Sequence, residues 1–220
     1  MWWFDIVSFS FAAVFLFVSA LPYFGIWLFL HSIWLKLLFF IFVFLTYPWC
    51  FLILVAMYKK LRKIGLKPCV FNPKKDLKNL YYLEREFFFH NFASLFRPWF
   101  DHYFGLQKIF YRLMGAKIGK NVTFGRDIII HDLSLIEIQD NVVLGQSCRI
   151  VGHLMSNAEE VILGKVVIGE NSVVGGHVKI APNVKIGKNC VIGLNSIILP
   201  GVELADNTRT SVLSVVRMPK

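Results

Sequence analysis

The sequence predicts a β-solenoid of six-residue units, preceded by two apolar helices and a short helical segment. Three observations indicate this: an aliphatic residue opens every sixth position from 162 to 204, asparagine recurs in the fourth place of the units, and two N-terminal segments are nearly free of charge. A period of six fits neither an α-helical turn nor a plainly alternating strand. It fits a short strand plus one corner of a triangular coil, so that three units, 18 residues, close one coil.

The unit openers are aliphatic and are expected to point into the core: Ile162, Ile168, Val174, Ile180, Ile186, Ile192, Ile198 and Leu204. The same spacing continues backward through Ile150, Leu144 and Ile138 and, after a slip of two residues, through Ile130, Phe124 and Ile118. The asparagines in the fourth places are Asn171, Asn183, Asn189, Asn195 and Asn207. Asparagine tolerates the positive φ of a tight corner. Cys148 and Cys190 fill fifth places, where a small inward residue is expected, and no cysteine pair has metal-ligand spacing.

Residues 115–210 resemble the left-handed parallel β-helix of the hexapeptide-repeat acyltransferases. The resemblance implies an all-β left-handed parallel β-helix, acyl transfer and a homotrimer. Val173 departs from the pattern, because soluble sugar acetyltransferases usually have Trp at this place, and the usual closing segment appears only as TSVLSVV. A second resemblance is to the membrane-spanning hexapeptide modules at the C-termini of certain peptide-synthetase-like enzymes, whose role is less clearly acyl transfer.

Residues 1–58 are predicted to form a hairpin of two transmembrane helices. The chain is 56% hydrophobic with a mean hydropathy of +0.57, and the excess lies at the N-terminus. Residues 6–30 contain no charged side chain, and residues 33–57 contain only Lys36. About 20 helical residues suffice to cross a bilayer. A cleaved signal peptide is the alternative, but the segment lacks a basic N-terminal region and a small-residue cleavage site.

The charges that follow the second apolar segment predict its orientation. Eight basic residues, offset only by Asp76, come after it: Lys59, Lys60, Arg62, Lys63, Lys67, Lys74, Lys75 and Lys78. The positive-inside rule then puts the C-terminal domain in the cytoplasm, in a multi-pass protein of the inner (cytoplasmic) membrane of a bacterium. Anionic membrane lipid, rather than nucleic acid, is the expected partner of this basic run, despite a net charge of +10.

Residues 59–114 read as a basic linker followed by amphipathic helices, and residues 211–220 read as a C-terminal tail. Residues 77–110 mix many aromatic side chains with charged ones. Such a segment either lies in the membrane interface or caps the first coil of the solenoid. Both interpretations stay open on sequence grounds.

His153 is the predicted catalytic base. Residues 151–161 do not form good hexapeptides, which predicts a loop that leaves the solenoid. In the acyltransferases that the chain resembles, such a loop precedes the motif that appears here as VVIGENSVVGG, and it carries a histidine that acts as general base. An imidazole with a pKa near 6.5 suits proton removal from an acceptor hydroxyl or amine that attacks a thioester. His177 occupies a corner place and His131 lies beside the slip, so both are weaker candidates.

The remaining site residues follow from the resemblance and from their chemistry. Glu159, Glu160 or a backbone carbonyl could hold the other imidazole nitrogen. An amide near Gly175 or Gly176 could stabilise an oxyanion. Acetyl-CoA would lie between two solenoids, and no metal is expected. The phosphates of acetyl-CoA are predicted to lie near four cationic residues: Lys185, Lys188, Arg209 and Arg217.

The resulting prediction is a membrane-anchored, trimeric O-acyltransferase that moves an acetyl group from acetyl-CoA to a cell-surface glycan or a lipid-linked precursor. One alternative is a transferase whose donor is acyl carrier protein or carries a longer acyl chain. The other is a non-catalytic trimeric scaffold within a membrane biosynthetic complex. The fold class supports the acyltransferase prediction but does not specify a substrate.

Overall fold

Two long antiparallel helices form the N-terminal part of the chain in a computed structural model that describes residues 2–94, 106–157 and 159–218. The first helix, α1, spans Trp2–Phe29, and the second, α2, spans Ile33–Leu61. The Tyr23 hydroxyl donates to Thr46 Oγ1 over 2.9 Å, and the Tyr47 hydroxyl donates to the Leu16 carbonyl over 2.9 Å. These cross-helix bonds satisfy polar groups between otherwise apolar surfaces.

Within the described residues, α2 is the one helix long and apolar enough to cross a membrane. The described apolar part of α1, Ala13–Phe29, is shorter. Large apolar side chains of both helices point away from the protein, including Phe17, Phe24, Phe29, Trp34 and Phe40. Helices α1 and α2 contact each other, and among the described residues only α2 has the length and apolar composition that a membrane crossing requires.

The C-terminal half is a triangular solenoid of three parallel sheets. Sheet one contains β2 (Lys117–Ile118), β5 (Ile136–Ile138), β10 (Val166–Ile168), β13 (Lys185–Ile186) and β16 (Glu203–Leu204). Sheet two contains β3 (Thr123–Phe124), β6 (Val143–Leu144), β11 (Val173–Val174) and β14 (Val191–Ile192). Sheet three contains β4 (Ile129–Ile130), β7 (Arg149–Ile150), β12 (Lys179–Ile180), β15 (Ile197–Ile198) and β17 (Val215–Val216).

The strand register confirms the predicted coil length. Ile168 pairs with Ile186, and Ile180 pairs with Ile198, so each neighbour lies 18 residues along the chain. These openers are almost completely buried and form one aliphatic core. Parallel pairing in all three sheets is consistent with a left-handed β-helix.

The corners have the backbone conformation that the asparagines predict. Asn171, Asn189 and Asn207 have φ between 54° and 64°, in the left-handed region. His177 has a φ of 59°, which confirms its interpretation as a corner residue. Asparagines of successive coils also bond each other, as when Asn141 Nδ2 donates to Asn171 Oδ1 over 3.0 Å.

Three predicted boundaries differ from the structure. Ile162 lies in β9 (Glu160–Leu163), outside the aliphatic core, and the coil resumes at Val166. The predicted tail, residues 211–220, contains β17, because sheet three gains a fifth strand there. The basic linker contains β1 (Cys69–Phe71), which pairs with β9. Each difference comes from a strand pairing that the six-residue period does not encode.

Helix α4 (Leu106–Leu113) covers the first coil, as the capping interpretation predicts for this part of residues 77–110. Phe110 and Tyr111 are buried, and the Tyr111 hydroxyl donates to the Ile128 carbonyl over 3.3 Å. The other aromatic residues are divided between helix α3 (Leu77–Ser94) and the stretch around residues 95–105, which lies outside the described residues.

A buried ion pair joins the helical part to the solenoid. Lys59 Nζ, at the end of α2, lies 3.0 Å from Glu86 Oε2 of α3, and the two side chains are 6% and 2% exposed. Lys59 also donates to the Met114 carbonyl over 2.6 Å, and Glu86 Oε1 accepts from the Ser134 backbone N–H over 3.2 Å. The pair therefore links α2 and α3 to the first coil.

Candidate active site

The predicted loop around His153 is a β-hairpin that projects from the solenoid. Strand β8 (His153–Asn157) pairs antiparallel with β9, and β1 completes a three-stranded sheet. At its base, the Gly164 N–H donates to the Gly152 carbonyl over 2.7 Å. We call this sheet, β1 with β8 and β9, the arm. His153 is the first residue of β8 and lies where the arm leaves the solenoid.

The side chain of His153 is held by a buried carboxylate, Asp132. His153 Nδ1 lies 2.6 Å from Asp132 Oδ2, which also accepts from the Gly152 N–H over 2.9 Å. The Asp132 side chain is 1% exposed, whereas the His153 side chain is 31% exposed. No hydrogen bond to Nε2 forms within the part of the chain that is described. A partner on Nδ1 and an accessible Nε2 are the arrangement that a general base requires.

Asp132 reaches this position through the two-residue slip in the repeat. It precedes a short 3₁₀ helix, η1 (Leu133–Leu135), with φ 55° and ψ 50°. Aspartate tolerates this left-handed conformation better than most residues. A Cβ on Gly152 would lie 3.0 Å from the Asp132 Cβ, which is tighter than most Cβ contacts, so glycine favours the close approach of the next coil. The slip therefore places a carboxylate directly beside the base of the arm.

The Asp132 carboxylate favours the protonated form of the His153 imidazole. The hydrogen bond to the Asp132 carboxylate raises the pKa of His153 above its usual value of about 6.5, and partial burial opposes this only in part. Because an ionised carboxylate only accepts hydrogen bonds, Nδ1 carries the proton in the neutral imidazole. Nε2 then presents its lone pair to a substrate.

The orienting carboxylate differs from the predicted ones. Glu159 is near the tip of the arm, where its side chain lies 3.4 Å from Lys74 Nζ. Glu160 accepts a short hydrogen bond from the Ser156 hydroxyl. Asp132 fills the role considered for these two residues, because His153 lies at the base of the arm and they lie near its tip. The slip in the repeat was the sequence signal that could have identified Asp132.

Gly175 and Gly176 lie at another corner, between sheets two and three. The Gly175 N–H donates to the Ile192 carbonyl over 2.8 Å and is therefore occupied by the coil. The Gly176 N–H makes no hydrogen bond with any residue that the structure describes. Within one chain, these amides and His153 are on different edges of the solenoid, so the structure does not bring them together.

The four predicted phosphate contacts also lie apart. Lys185 is on sheet one, Arg209 pairs beside sheet two, and Arg217 follows sheet three. Lys188 is at a corner, with its Nζ 3.2 Å from Glu170 Oε2. Successive six-residue units lie on different sheets of the triangular solenoid, which explains why these cationic residues are separated.

A shallow groove on sheet three brings together cationic residues that the sequence analysis missed. It is lined by Ser147, Arg149, His177, Lys179, Asn195 and Ile197. Arg149 and Lys179 are outward residues of adjacent strands, and β7, which carries Arg149, leads directly to His153. Their outward place in consecutive coils was visible in the repeat. Among the described residues, no cluster of three or more His, Cys, Asp or Glu side chains could hold a metal ion.

Residues 165–198 match the family model described as bacterial transferase hexapeptide (six repeats). The hexapeptide repeat predicted from the sequence is confirmed. No curated protein matches the chain.

Several solved structures resemble the chain distantly. A hexapeptide-repeat acetyltransferase from Vibrio cholerae, complexed with acetyl coenzyme A, is 20% identical with a TM-score of 0.39, over 48% of this chain and 70% of that one. A maltose O-acetyltransferase from Clostridium difficile 630 is 20% identical with a TM-score of 0.42, over 60% of this chain and 86% of that one. A serine acetyltransferase from Entamoeba histolytica is 15% identical with a TM-score of 0.37, over 64% of this chain and 49% of that one. These similarities are too weak to assign a substrate or a partner.

Proposed function

We propose that the protein is a CoA-dependent acyltransferase that moves an acetyl group to a hydroxyl or amine of a cell-surface glycan or a lipid-linked precursor. The observation that carries the proposal is the contact between His153 and the buried Asp132. A scaffold does not need a buried carboxylate that orients a partly exposed imidazole. Such a pairing of a buried charged group with an accessible titratable one is typical of catalytic sites, which supports a functional role for the contact. The transferase hexapeptide repeat in the same solenoid supports this class of reaction.

The reaction follows from the geometry of His153. Nε2 removes the proton of the acceptor hydroxyl while the hydroxyl oxygen attacks the carbonyl carbon of the thioester. This carbon becomes tetrahedral, and the carbonyl oxygen becomes an oxyanion. Collapse of this intermediate breaks the carbon–sulfur bond, and the imidazolium returns the proton to the departing CoA thiolate. Asp132 stabilises the imidazolium between these two transfers. The products are the acylated acceptor and free CoA, so the protons balance.

A homotrimer would complete the site. Gly176 and His153 lie on different edges of one solenoid, so the Gly176 N–H of a neighbouring chain is the proposed oxyanion donor. The donor phosphates are assigned to Arg149 and Lys179 together with Arg217, which alone of the four predicted cations follows sheet three. Lys185, Lys188 and Arg209 are proposed to contact the phosphates of a CoA molecule that is bound between this chain and a neighbouring subunit.

The proposed location is the inner membrane of a bacterium. Helix α2 crosses the bilayer with α1 beside it as a second span, and the solenoid lies in the cytoplasm. The basic residues after α2 support this orientation. A cytoplasmic solenoid would have direct access to acetyl-CoA.

The proposal is tested by measuring thiol release from acetyl-CoA with the full chain in detergent and with glycan or lipid-linked acceptors. We expect acceptor-dependent release with acetyl-CoA. Release with acyl carrier protein but not with acetyl-CoA would replace the donor and keep the reaction. Absence of transfer from every acyl donor, by a folded trimer, would favour the scaffold.

A further inference from the structure

A groove at the cytoplasmic end of α2 has one apolar wall and one basic rim. It lies between α2, α4 and the first coil. The apolar wall includes Ile53, Met57 and Leu113, and the rim includes Lys60, Lys63 and Arg112. Ile53 and Met57 are about half exposed although both are apolar. A surface with this composition calls for a ligand that is apolar at one end and anionic at the other.

The charge of the rim is not neutralised from within the groove. Lys59 also lines it, but its ammonium is paired with Glu86. No acidic residue is among the described residues that line the groove. Lys60 and Lys63 are exposed, and Lys63 has a φ of 50° at the turn that ends α2. The net charge of the lining is therefore positive.

Arg112 is held in place on the opposite side of the groove. Its guanidinium donates to the Ile118 carbonyl over 2.8 Å from Nε and to the Gly119 carbonyl over 2.9 Å. A guanidinium has five N–H donors, so further donors remain for an anion. An oriented guanidinium loses little conformational entropy when it binds phosphate.

We propose that this groove binds one anionic phospholipid. An acyl chain would lie against Ile53 and Met57, which continue the apolar surface of α2, and the headgroup phosphate would contact Lys60, Lys63 and Arg112. Charge complementarity and continuity with the apolar helix select this ligand over a free phosphate, which would leave the apolar wall uncovered. The proposal rests on the proposed membrane location of α2.

Native mass spectrometry of the full chain tests this inference. The protein is extracted from vesicles of equal parts phosphatidylglycerol and phosphatidylcholine. We expect one retained phosphatidylglycerol per subunit, and about tenfold lower retention in the double variant Lys60→Gln, Lys63→Gln. The matched control Lys67→Gln, Lys75→Gln removes two exposed charges from the same basic segment but outside the groove, and should retain the lipid.

Equal retention of the two lipids would contradict selective binding of an anionic lipid in the groove. An equal loss of phosphatidylglycerol in the control variant would contradict it too, because only general electrostatic attraction to the basic segment would remain. Extraction of the chain from membranes by alkaline carbonate would overturn the membrane location instead, and the groove with it. A chain that resists carbonate but selects no lipid overturns the groove alone.

Discussion

At the scale of single residues, the contact between Asp132 and His153 distinguishes this histidine from His177, the weaker candidate in the sequence. His153 is oriented by a buried carboxylate, whereas His177 adopts the left-handed conformation that asparagine adopts at other corners. The contact with Asp132 and the corner conformation of His177 lead to opposite expectations for substitution.

His153→Ala should lower the acyl transfer rate roughly 100-fold to 10,000-fold, because the acceptor would lose its general base. Folding, trimer formation and CoA binding should change little, since the side chain is partly exposed. His177→Asn keeps a corner residue that tolerates positive φ and should have far less effect on the rate at saturating acetyl-CoA. Initial rates at saturating acetyl-CoA measure both. An unchanged rate in His153→Ala would contradict the mechanism.

Asp132→Asn should move the acidic limb of the pH–rate profile to lower pH. The Asp132 carboxylate raises the pKa of His153, and the base acts only when it is neutral, so the wild-type rate should fall as the pH drops through this raised pKa. Without the carboxylate the pKa of His153 decreases. The plateau rate should also fall, because the imidazolium loses its partner. The measurement is kcat/KM between pH 5 and 9, and a limb that does not move would indicate a purely structural aspartate.

The sequence was sufficient to predict His153 but not Asp132. The histidine is marked by a local break in the period of six. The aspartate lies 21 residues earlier, and its contact depends on a first coil of 20 residues, two more than the regular coils of 18. The contact between Asp132 and His153 depends on the three-dimensional shape of the corner that holds Asp132, and the period of six does not specify that shape.

At the scale of elements, the aliphatic core of the solenoid and its outward positions should tolerate charge very differently. Ile180→Asp puts an unpaired carboxylate among buried aliphatic side chains and should cost several kcal/mol. Lys185→Asp changes an exposed residue of a strand and should be mild. Thermal unfolding measures the difference. Equal destabilisation by the two variants would contradict the strand register.

The buried ion pair between α2 and α3 should be worth more than an exposed one. Glu86→Gln leaves the Lys59 ammonium buried without its carboxylate and should cost roughly 3–5 kcal/mol. Glu170→Gln breaks an ion pair that is about half exposed, with Lys188, and should cost less than about 1 kcal/mol. Denaturation in detergent compares the two variants. A loss as small in Glu86→Gln as in the control would mean that water reaches the Lys59 ammonium.

The elements that the sequence predicted are those whose environment repeats. Each coil presents the same inward and outward positions, so Ile168, Ile186 and their equivalents are recognisable in the chain alone. The arm has no such repetition. Its strand β1 lies about ninety residues before its partner β9, and antiparallel pairing at that distance leaves no periodic mark.

At the scale of the whole molecule, the apolar helix and the solenoid share one core. Phe51, Leu52 and Val55 of α2 belong to the same buried cluster as Ile118 and Ile130 of the first coil. Helix α2 is therefore continuous with the domain and is not attached through a flexible tether. The solenoid should keep a fixed orientation relative to the bilayer that α2 is proposed to cross.

A reporter fused after Lys220 should be located in the cytoplasm, because the basic segment after α2 disfavours translocation of the C-terminal domain. Alkaline phosphatase, which is active in the periplasm, and a fluorescent protein that matures in the cytoplasm are suitable paired reporters. The same reporters fused to a known periplasmic protein provide the control. Phosphatase activity from the fusion would reverse the proposed orientation.

In the proposed arrangement, the order of the coils also sets the height above the bilayer at which the proposed reaction would take place. The first coil contacts α4 and α2, and His153 follows directly from the second coil. Adjacent strands are about 4.8 Å apart, so His153 is only about one strand spacing beyond the end of the solenoid that rests on the anchor. A group that reacts there must be presented close to the lipid headgroups. Long soluble glycans would have to bend back towards the membrane surface, whereas a sugar attached directly to a lipid would already lie at the required height.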